Sequence, residues 1–159
     1  MRTLEPIGLD FFTTAPFRVS ETLHLHSSPD AVFAAFADAP MWTRWWPLMH
    51  EARWTKGSGA IGDERVVSLR LLGRFEERFI AWEPGVHFAF SMIATTSPLV
   101  KRMGEDYRLT ADGKGTRLDW TIAAEPSALG RASTPITRFI SKRMIRRGIP
   151  KLDRLLTTN

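Results

Sequence analysis

The protein has 159 residues and a formal charge of +5, with 22 basic and 17 acidic side chains. A chain of this length forms one domain with a sizeable core. The absence of cysteine excludes disulfides, Cys-ligated zinc, iron–sulfur clusters and thiol nucleophiles. No signal peptide or membrane-spanning stretch is visible, so we expect a soluble, cytoplasmic protein.

The N-terminal third predicts a lead-in segment, a strand and two short helices. Residues 1–16 are expected to dock on the body of a single domain formed by residues 17–159. Residues 17–26 alternate between apolar and polar side chains, which is typical of a strand with one buried face. A serine and a proline then start a helix over residues 29–38, and residues 41–46 form another helical turn before a proline.

The middle of the chain predicts an antiparallel sheet. Six strand-like stretches are separated by short turns rich in Gly, Pro, Asp and Ser. Their ranges are 51–56, 64–72, 74–82, 86–94, 102–110 and 116–125. After a polar loop over residues 127–134, a helical stretch runs from residue 135 to about residue 156. The order predicts a single α+β domain.

Four short segments resemble a known family: Ser28-Pro29-Asp30-Ala31-Val32-Phe33, Arg44-Trp45-Trp46-Pro47, Ala81-Trp82-Glu83-Pro84-Gly85 and Gly115-Thr116-Arg117-Leu118-Asp119-Trp120-Thr121. With the element order, they resemble the helix-grip fold of the START-like (SRPBCC) superfamily, which includes polyketide cyclase/dehydrase-type proteins and lipid carriers. The resemblance implies a curved antiparallel sheet around a long C-terminal helix, with an apolar cavity between them. It implies no catalytic residue, and we predict no cofactor.

On each strand, every second side chain is mainly apolar, and these side chains share one face. Together, these faces predict a concave surface rich in aromatic side chains. The alternative is a completely filled core. With a cavity, we expect an apolar small molecule to bind there: a lipid, an isoprenoid or a polyketide-like compound. The predicted ligand-binding residues are Trp45, Trp46, Phe75, Phe79, Phe88, Phe90, Met92, Tyr107, Trp120, Ile136, Phe139 and Ile140.

Three carboxylates lie on the otherwise apolar faces of their strands: Glu21, Glu77 and Glu105. A buried carboxylate must find a partner or become neutral. Glu21, Glu105 and Tyr107 are therefore catalytic candidates in a cyclase or dehydratase, although we favour a non-enzymatic carrier. The alternative is that each carboxylate reaches solvent at a strand end.

Two further patterns are interpreted as structural. The segment Gly57-Ser58-Gly59-Ala60-Ile61-Gly62 has the spacing of a dinucleotide-binding loop, but a strand follows it where that loop needs a helix. His24 and His26 share one face of a strand, where we expect solvent-facing side chains and no metal site.

The terminal helix carries most of the positive charge. Residues 131–159 hold eight basic side chains and one acid, whereas the rest of the chain sums to −2. The apolar residues form two opposite faces, and the change from one face to the other falls across Met144 to Ile149, next to Gly148 and Pro150. This predicts a kink or break at residues 146–150. We expect the second half of this helix to pack against the core, and the first half to cover the cavity or bind a partner. The basic residues form either a solvated face or a contact for an anionic membrane, a ribosome or other RNA: Arg138, Lys142, Arg143, Arg146, Arg147 and Lys151.

Overall fold

The computed structural model describes residues 1–158 of the protein; Asn159, the last residue of the predicted domain, lies outside the described residues. Eight strands in this range form one antiparallel sheet, and a long helix crosses its concave face. The strands are β1 (Arg2–Thr3), β2 (Phe17–Leu25), β3 (Met49–Lys56), β4 (Glu64–Leu69), β5 (Gly73–Glu83), β6 (His87–Thr95), β7 (Val100–Asp112) and β8 (Gly115–Pro126). The helices are α1 (Phe11–Thr14), α2 (Pro29–Ala37), α3 (Trp42–Trp45), α4 (Ala128–Ala132) and α5 (Thr134–Thr157).

The strand order is β2-β8-β7-β6-β5-β4-β3, and β1 pairs with the end of β6. All neighbours are antiparallel, and five of the connections, from β3 to β8, are the short turns that the sequence predicts. The sheet therefore starts and ends with the strands that flank α2 and α3. This architecture confirms the predicted helix-grip fold.

The start of α2 follows from its capping residues. The Ser28 hydroxyl accepts a hydrogen bond from the backbone N–H of Ala31, and Pro29 occupies the first helical turn. The apolar side chains Val32 and Phe36 are completely buried against the sheet. Helix α2 is thus anchored by its apolar face, and it contacts β7 and β8.

The outer face of the sheet is partly covered by the N-terminal segment. Ile7, Phe11 and Phe12 pack against small side chains of the sheet, including Ala89 and Ala123. Because alanine side chains are small, aromatic rings can lie close to the backbone of the strands. The N-terminal segment therefore docks on this face of the sheet, whereas the domain boundary at residue 17 stays a prediction.

Helix α5 is uninterrupted from Thr134 to Thr157, so the predicted break at residues 146–150 is wrong, whereas a kink there stays a prediction. Pro150 is exposed, and water can reach the carbonyl that loses its helical hydrogen bond. Gly148 has another role, because a Cβ atom there would lie 2.9 Å from Cε3 of Trp46. The glycine lets α5 approach the Trp46 indole closely.

The two halves of α5 have different surroundings, as the apolar pattern predicts. Ile145, Ile149 and Leu152 are buried against the sheet, whereas Ile136 and Phe139 are 64% and 66% exposed. A short helix, α4, also precedes α5, where the sequence predicted a loop.

Candidate ligand-binding site

A cavity lies between α5 and the concave face of the sheet, in two adjoining parts. The inner chamber, deep against the sheet, has a volume of about 100 Å³. The outer chamber has about 520 Å³ and is bounded by the β4–β5 and β6–β7 connections and the first half of α5. The two chambers share five wall residues: Leu72, Phe75, Met103, Ser141 and Met144. One elongated cavity therefore leads from the first half of α5 into the sheet.

The wall of the inner chamber is mainly apolar and rich in methionine. Four of the six methionines of the chain line it: Met49, Met92, Met103 and Met144. Trp46 and Phe90 supply aromatic wall. Since methionine side chains are flexible and polarisable, this surface can adapt to apolar molecules of different shape.

A buried ion pair lies in this apolar wall. Nε and a terminal guanidinium nitrogen of Arg65 are each 2.7 Å from Oε2 of Glu77, and both residues are almost completely buried. The guanidinium also lies 4.7 Å from the ring centroid of Trp42, a cation–π contact. Burial raises the pKa of Glu77, although the Arg65 charge opposes this effect.

Glu105 lies in the same chamber and forms no ion pair with a basic residue within residues 1–158. Its Oε2 accepts hydrogen bonds from the Tyr107 hydroxyl and, at 3.0 Å, from Nε1 of Trp120. Burial raises the pKa of Glu105 to about 7, against the effect of the Tyr107 hydrogen bond. The negative charge of Glu77 raises it further. Burial also raises the pKa of Tyr107, which is therefore a hydrogen-bond donor at neutral pH.

Two carboxylate oxygens face the inner chamber. Among residues 1–158, neither Oε1 of Glu77 nor Oε1 of Glu105 has a hydrogen-bond partner. In the same range, the only fully enclosed side-chain polar atom without a partner is Nε1 of Trp45. Both oxygens are therefore accessible, and their residues line the chamber. They are the acceptors that a ligand would meet at its deep end.

The predicted ligand-binding residues divide into three groups. Trp46, Phe75, Phe90, Met92 and Tyr107 line the inner chamber, and Ile136 and Ile140 line the outer one. Trp45, Phe79, Phe88 and Trp120 are completely buried but line neither chamber. Phe139 points away from the cavity, among basic side chains of α5. A ligand-binding role for these residues stays a prediction.

Glu21 lies outside both chambers. Its carboxylate forms ion pairs of 3.0 Å with Arg146 and 3.3 Å with Lys142 of α5. Burial alone would raise the pKa of Glu21, but the hydrogen bonds from these two residues outweigh it and lower the pKa. Glu21 therefore ties α5 to β2 and is not positioned to act as an acid on a bound molecule.

The sequence interpretation missed Arg65 and the role of Ser141. Arg65 is directly opposite Glu77 in the β4–β5 register. A buried glutamate needs a positive partner, and a neighbouring strand is where that partner is found. This signal was available in the sequence. Ser141 lines both chambers and carried no such signal, because α5 positions it only through tertiary packing.

The basic residues of α5 are partly engaged within the fold. Besides the ion pairs to Glu21, Arg138 donates a hydrogen bond to the backbone oxygen of Arg18 and stacks on a phenylalanine ring. Arg143, Arg147 and Lys151 are exposed and form no ion pair within residues 1–158. Contact with a membrane, a ribosome or other RNA stays a prediction. No helix in the described range is long and apolar enough to cross a membrane.

The remaining motifs have local partners. Nδ1 of His24 lies 2.8 Å from Asp112, and Nδ1 of His26 lies 2.7 Å from Asp153. No group of three potential metal ligands occurs in residues 1–158. The glycine-rich segment is the β3–β4 turn, where the Asp63 carboxylate accepts hydrogen bonds from backbone N–H groups.

Comparison with known proteins agrees with this architecture. An uncharacterized protein of Mycobacterium bovis is 33% identical over 97% of this chain and 93% of its own length. A START superfamily protein from Mycobacterium smegmatis superposes with a TM-score of 0.71, 11% identity and coverage of 89% of this chain and 97% of its own. The Zhui aromatase/cyclase from a Streptomyces species superposes with a TM-score of 0.66, 16% identity and coverage of 88% and 90%. The pattern of the family described as "Polyketide cyclase / dehydrase and lipid transport" matches residues 16–157, and the chain belongs to this family.

Proposed function

We propose that the protein binds and carries an apolar small molecule in the cavity between α5 and the sheet. Membership in a family of cyclases, dehydrases and lipid transporters supports a hydrophobic ligand. The observation that carries the proposal is the elongated apolar cavity, which ends at two accessible carboxylate oxygens. An apolar chain would occupy the outer chamber and the methionine-rich wall, and a polar end group would meet Glu77 and Glu105.

The affinity of such a ligand would come from burial of its apolar surface. Each buried methylene contributes about 0.8 kcal/mol, so a ten-carbon chain supplies about 8 kcal/mol, the free energy of micromolar binding, before the cost of association is subtracted. The polar groups of the chamber are few and lie at one end. They would orient the ligand more than they would hold it.

Native mass spectrometry of the purified protein, with organic extraction of what it retains, tests this proposal. Ser141→Phe fills the junction between the two chambers and is expected to abolish retention of apolar molecules. Ser58→Phe places the same side chain in the exposed β3–β4 turn and is expected to leave retention unchanged. Equal retention by the two variants, or protein that neither retains nor takes up any apolar molecule, would contradict the proposal.

A second candidate function is general acid–base catalysis, because Glu105 lies in the cavity with a pKa of about 7. A carboxyl group with a pKa near the working pH can take and return a proton. Glu105 Oε1 would abstract a proton next to a ligand carbonyl, with Tyr107 holding the carboxylate in place. The reaction is then enolisation, the first step of many cyclisations and dehydrations.

Deuterium exchange at the α-carbon of 2-decanone in D2O tests this candidate. Catalysis by Glu105 predicts exchange with the wild type that exceeds exchange with Glu105→Gln at equal ketone occupancy. Equal exchange rates with the two proteins would contradict acid–base catalysis by Glu105 and would not contradict the carrier function.

A further inference from the structure

We propose that the inner chamber selects apolar molecules ending in a hydroxyl or phenol group over molecules ending in a carboxylate. The selection acts through Oε1 of Glu105 and Oε1 of Glu77. This inference rests on the proposed carrier function and adds the class of the ligand's end group.

The deep end of the inner chamber offers hydrogen-bond acceptors to a ligand. Within the described residues, the unpartnered polar atoms at the deep end of the chamber are the two carboxylate oxygens, which are acceptors when ionised. The Ser141 hydroxyl lies instead at the junction with the outer chamber. The nearby indole N–H of Trp120 and hydroxyl of Tyr107 are already directed at Oε2 of Glu105. A ligand that donates a hydrogen bond therefore complements the chamber.

Arg65 does not reverse this preference. Its side chain is 1% exposed, and two of its nitrogens are directed at Glu77. Its remaining terminal nitrogen faces the backbone oxygen of Phe36 at 3.5 Å. An anionic ligand would have to draw Arg65 away, which would leave Glu77 buried without a partner.

A hydroxyl group fits both protonation states of Glu105. When Glu105 is ionised, the hydroxyl donates to Oε1. When Glu105 is protonated, the proton belongs on Oε1, because Oε2 already accepts two hydrogen bonds. Oε1–H then donates to the hydroxyl oxygen, so the hydrogen bond is retained with its direction reversed.

A carboxylate fits only when Glu105 is protonated, since otherwise two negative charges share a buried site. The charged and titratable groups that face Glu105 are Tyr107 on its own strand, Glu77 on β5 and Arg65 on β4. From α5, Ser141 and Met144 line this chamber, and neither titrates. Charge selection therefore depends on Glu105 and on the Arg65–Glu77 pair.

Competition against the neutral fluorescent probe N-phenyl-1-naphthylamine at pH 8 tests the inference. The competitors share a ten-carbon chain: 1-decanol, 1-methoxydecane, which accepts but does not donate a hydrogen bond, and decanoate. We expect 1-decanol to bind at least tenfold more tightly than the other two. The ether controls for the hydroxyl donor, and the acid tests the charge.

Glu105→Gln is the matched variant. Its amide oxygen can accept from Tyr107 and Trp120, and its NH2 group would face the chamber. We expect decanoate to bind about tenfold more tightly than in the wild type, because the amide carries no negative charge. Thermal melting and probe affinity establish that the variant is folded.

A second measurement needs no variant. The charge of 1-decanesulfonate does not change between pH 6 and pH 8, so a rise in its affinity at pH 6 reports protonation of the chamber. Equal binding of 1-decanol and decanoate at pH 8, with no effect of Glu105→Gln and no pH effect on the sulfonate, would overturn the inference but not the carrier function. Failure of the probe and all competitors to bind would instead contradict the carrier function.

Discussion

The indole N–H of Trp120 donates a hydrogen bond of 3.0 Å to Oε2 of Glu105 across the β7–β8 pair. Because this bond stabilises the ionised carboxylate, it keeps the pKa of Glu105 lower than burial alone would. The residue thus remains close to its midpoint at neutral pH. Its protonation state can respond to what enters the chamber.

Trp120→Phe removes this donor and keeps an aromatic ring. We expect the pKa of Glu105 to rise above about 7, since the charged form loses a hydrogen bond. Carboxyl carbon NMR of the glutamates across a pH series measures the shift. Trp54→Phe is the control, because that indole packs against Phe79 and Trp82 rather than against Glu105. An unchanged or lowered pKa in Trp120→Phe would contradict the role given to the indole.

The pH dependence of stability follows from the same carboxyl group. The pKa of Glu105 is raised from 4.5 to about 7 by folding, so the folded state binds this proton more tightly. Its contribution to the free energy of unfolding is greatest below pH 4.5 and is lost as pH rises to about 7. The loss amounts to about 3 kcal/mol.

Glu105→Gln does not titrate, so the stability of the variant relative to the wild type is expected to increase between pH 4.5 and pH 7 and then level off. Urea unfolding at matched pH values measures the difference between the two proteins. Taking the difference removes the contributions of other carboxylates, such as Glu51 and Glu125, whose pKa values are lowered by hydrogen bonds. A difference that does not vary with pH would show that Glu105 is ionised normally.

The buried ion pair makes a distinct prediction. Arg65→Met leaves Glu77 without its partner in an apolar wall, and we expect a loss of about 3–5 kcal/mol in the free energy of unfolding. Adding Glu77→Gln removes the uncompensated charge, so the double variant is expected to be more stable than Arg65→Met alone. Guanidinium unfolding of both variants measures this. A double variant that is less stable than the single one would mean that Glu77 is not held by Arg65.

Gly148 is expected to control the distance between α5 and Trp46. Gly148→Leu forces the helix away from the indole, and overpacking of this kind costs about 1–3 kcal/mol even though leucine favours a helix. Arg147→Leu, at the exposed neighbouring position, is expected to change stability by less than about 0.5 kcal/mol. Thermal unfolding of the two variants is the measurement, and equal stability would exclude close packing at residue 148.

Strand periodicity was sufficient to predict the sheet and the concave face. Phe88, Phe90 and Met92 are buried on one side of β6 because side chains alternate along a strand. Gly148 and Pro150 predicted a break in α5 that does not occur. The glycine allows the helix to approach Trp46 closely, and the proline is exposed on the helix surface.

The candidate site was predicted only in part. The position of Glu105 and Tyr107 on the apolar face of β7 correctly placed them in the chamber. Glu21 also lies on the apolar face of its strand, but it pairs with Arg146 of α5 instead. Whether such a carboxylate faces the chamber or forms an ion pair depends on where the basic residues of α5 lie. Their position is set by the packing of α5, which is distant in sequence. The junction at Ser141 likewise depends on how α5 crosses the sheet.

Methyl NMR of 13C-methionine-labelled protein tests the central claim most directly. Four methionines line the inner chamber, whereas Met1 and Met41 do not. Titration with 1-decanol is predicted to shift the methyl signals of Met49, Met92, Met103 and Met144 together, with a common saturation curve, and to leave Met1 and Met41 unchanged. Signals that stay fixed at all four chamber methionines, or shifts confined to Met1 and Met41, would contradict ligand binding between α5 and the sheet.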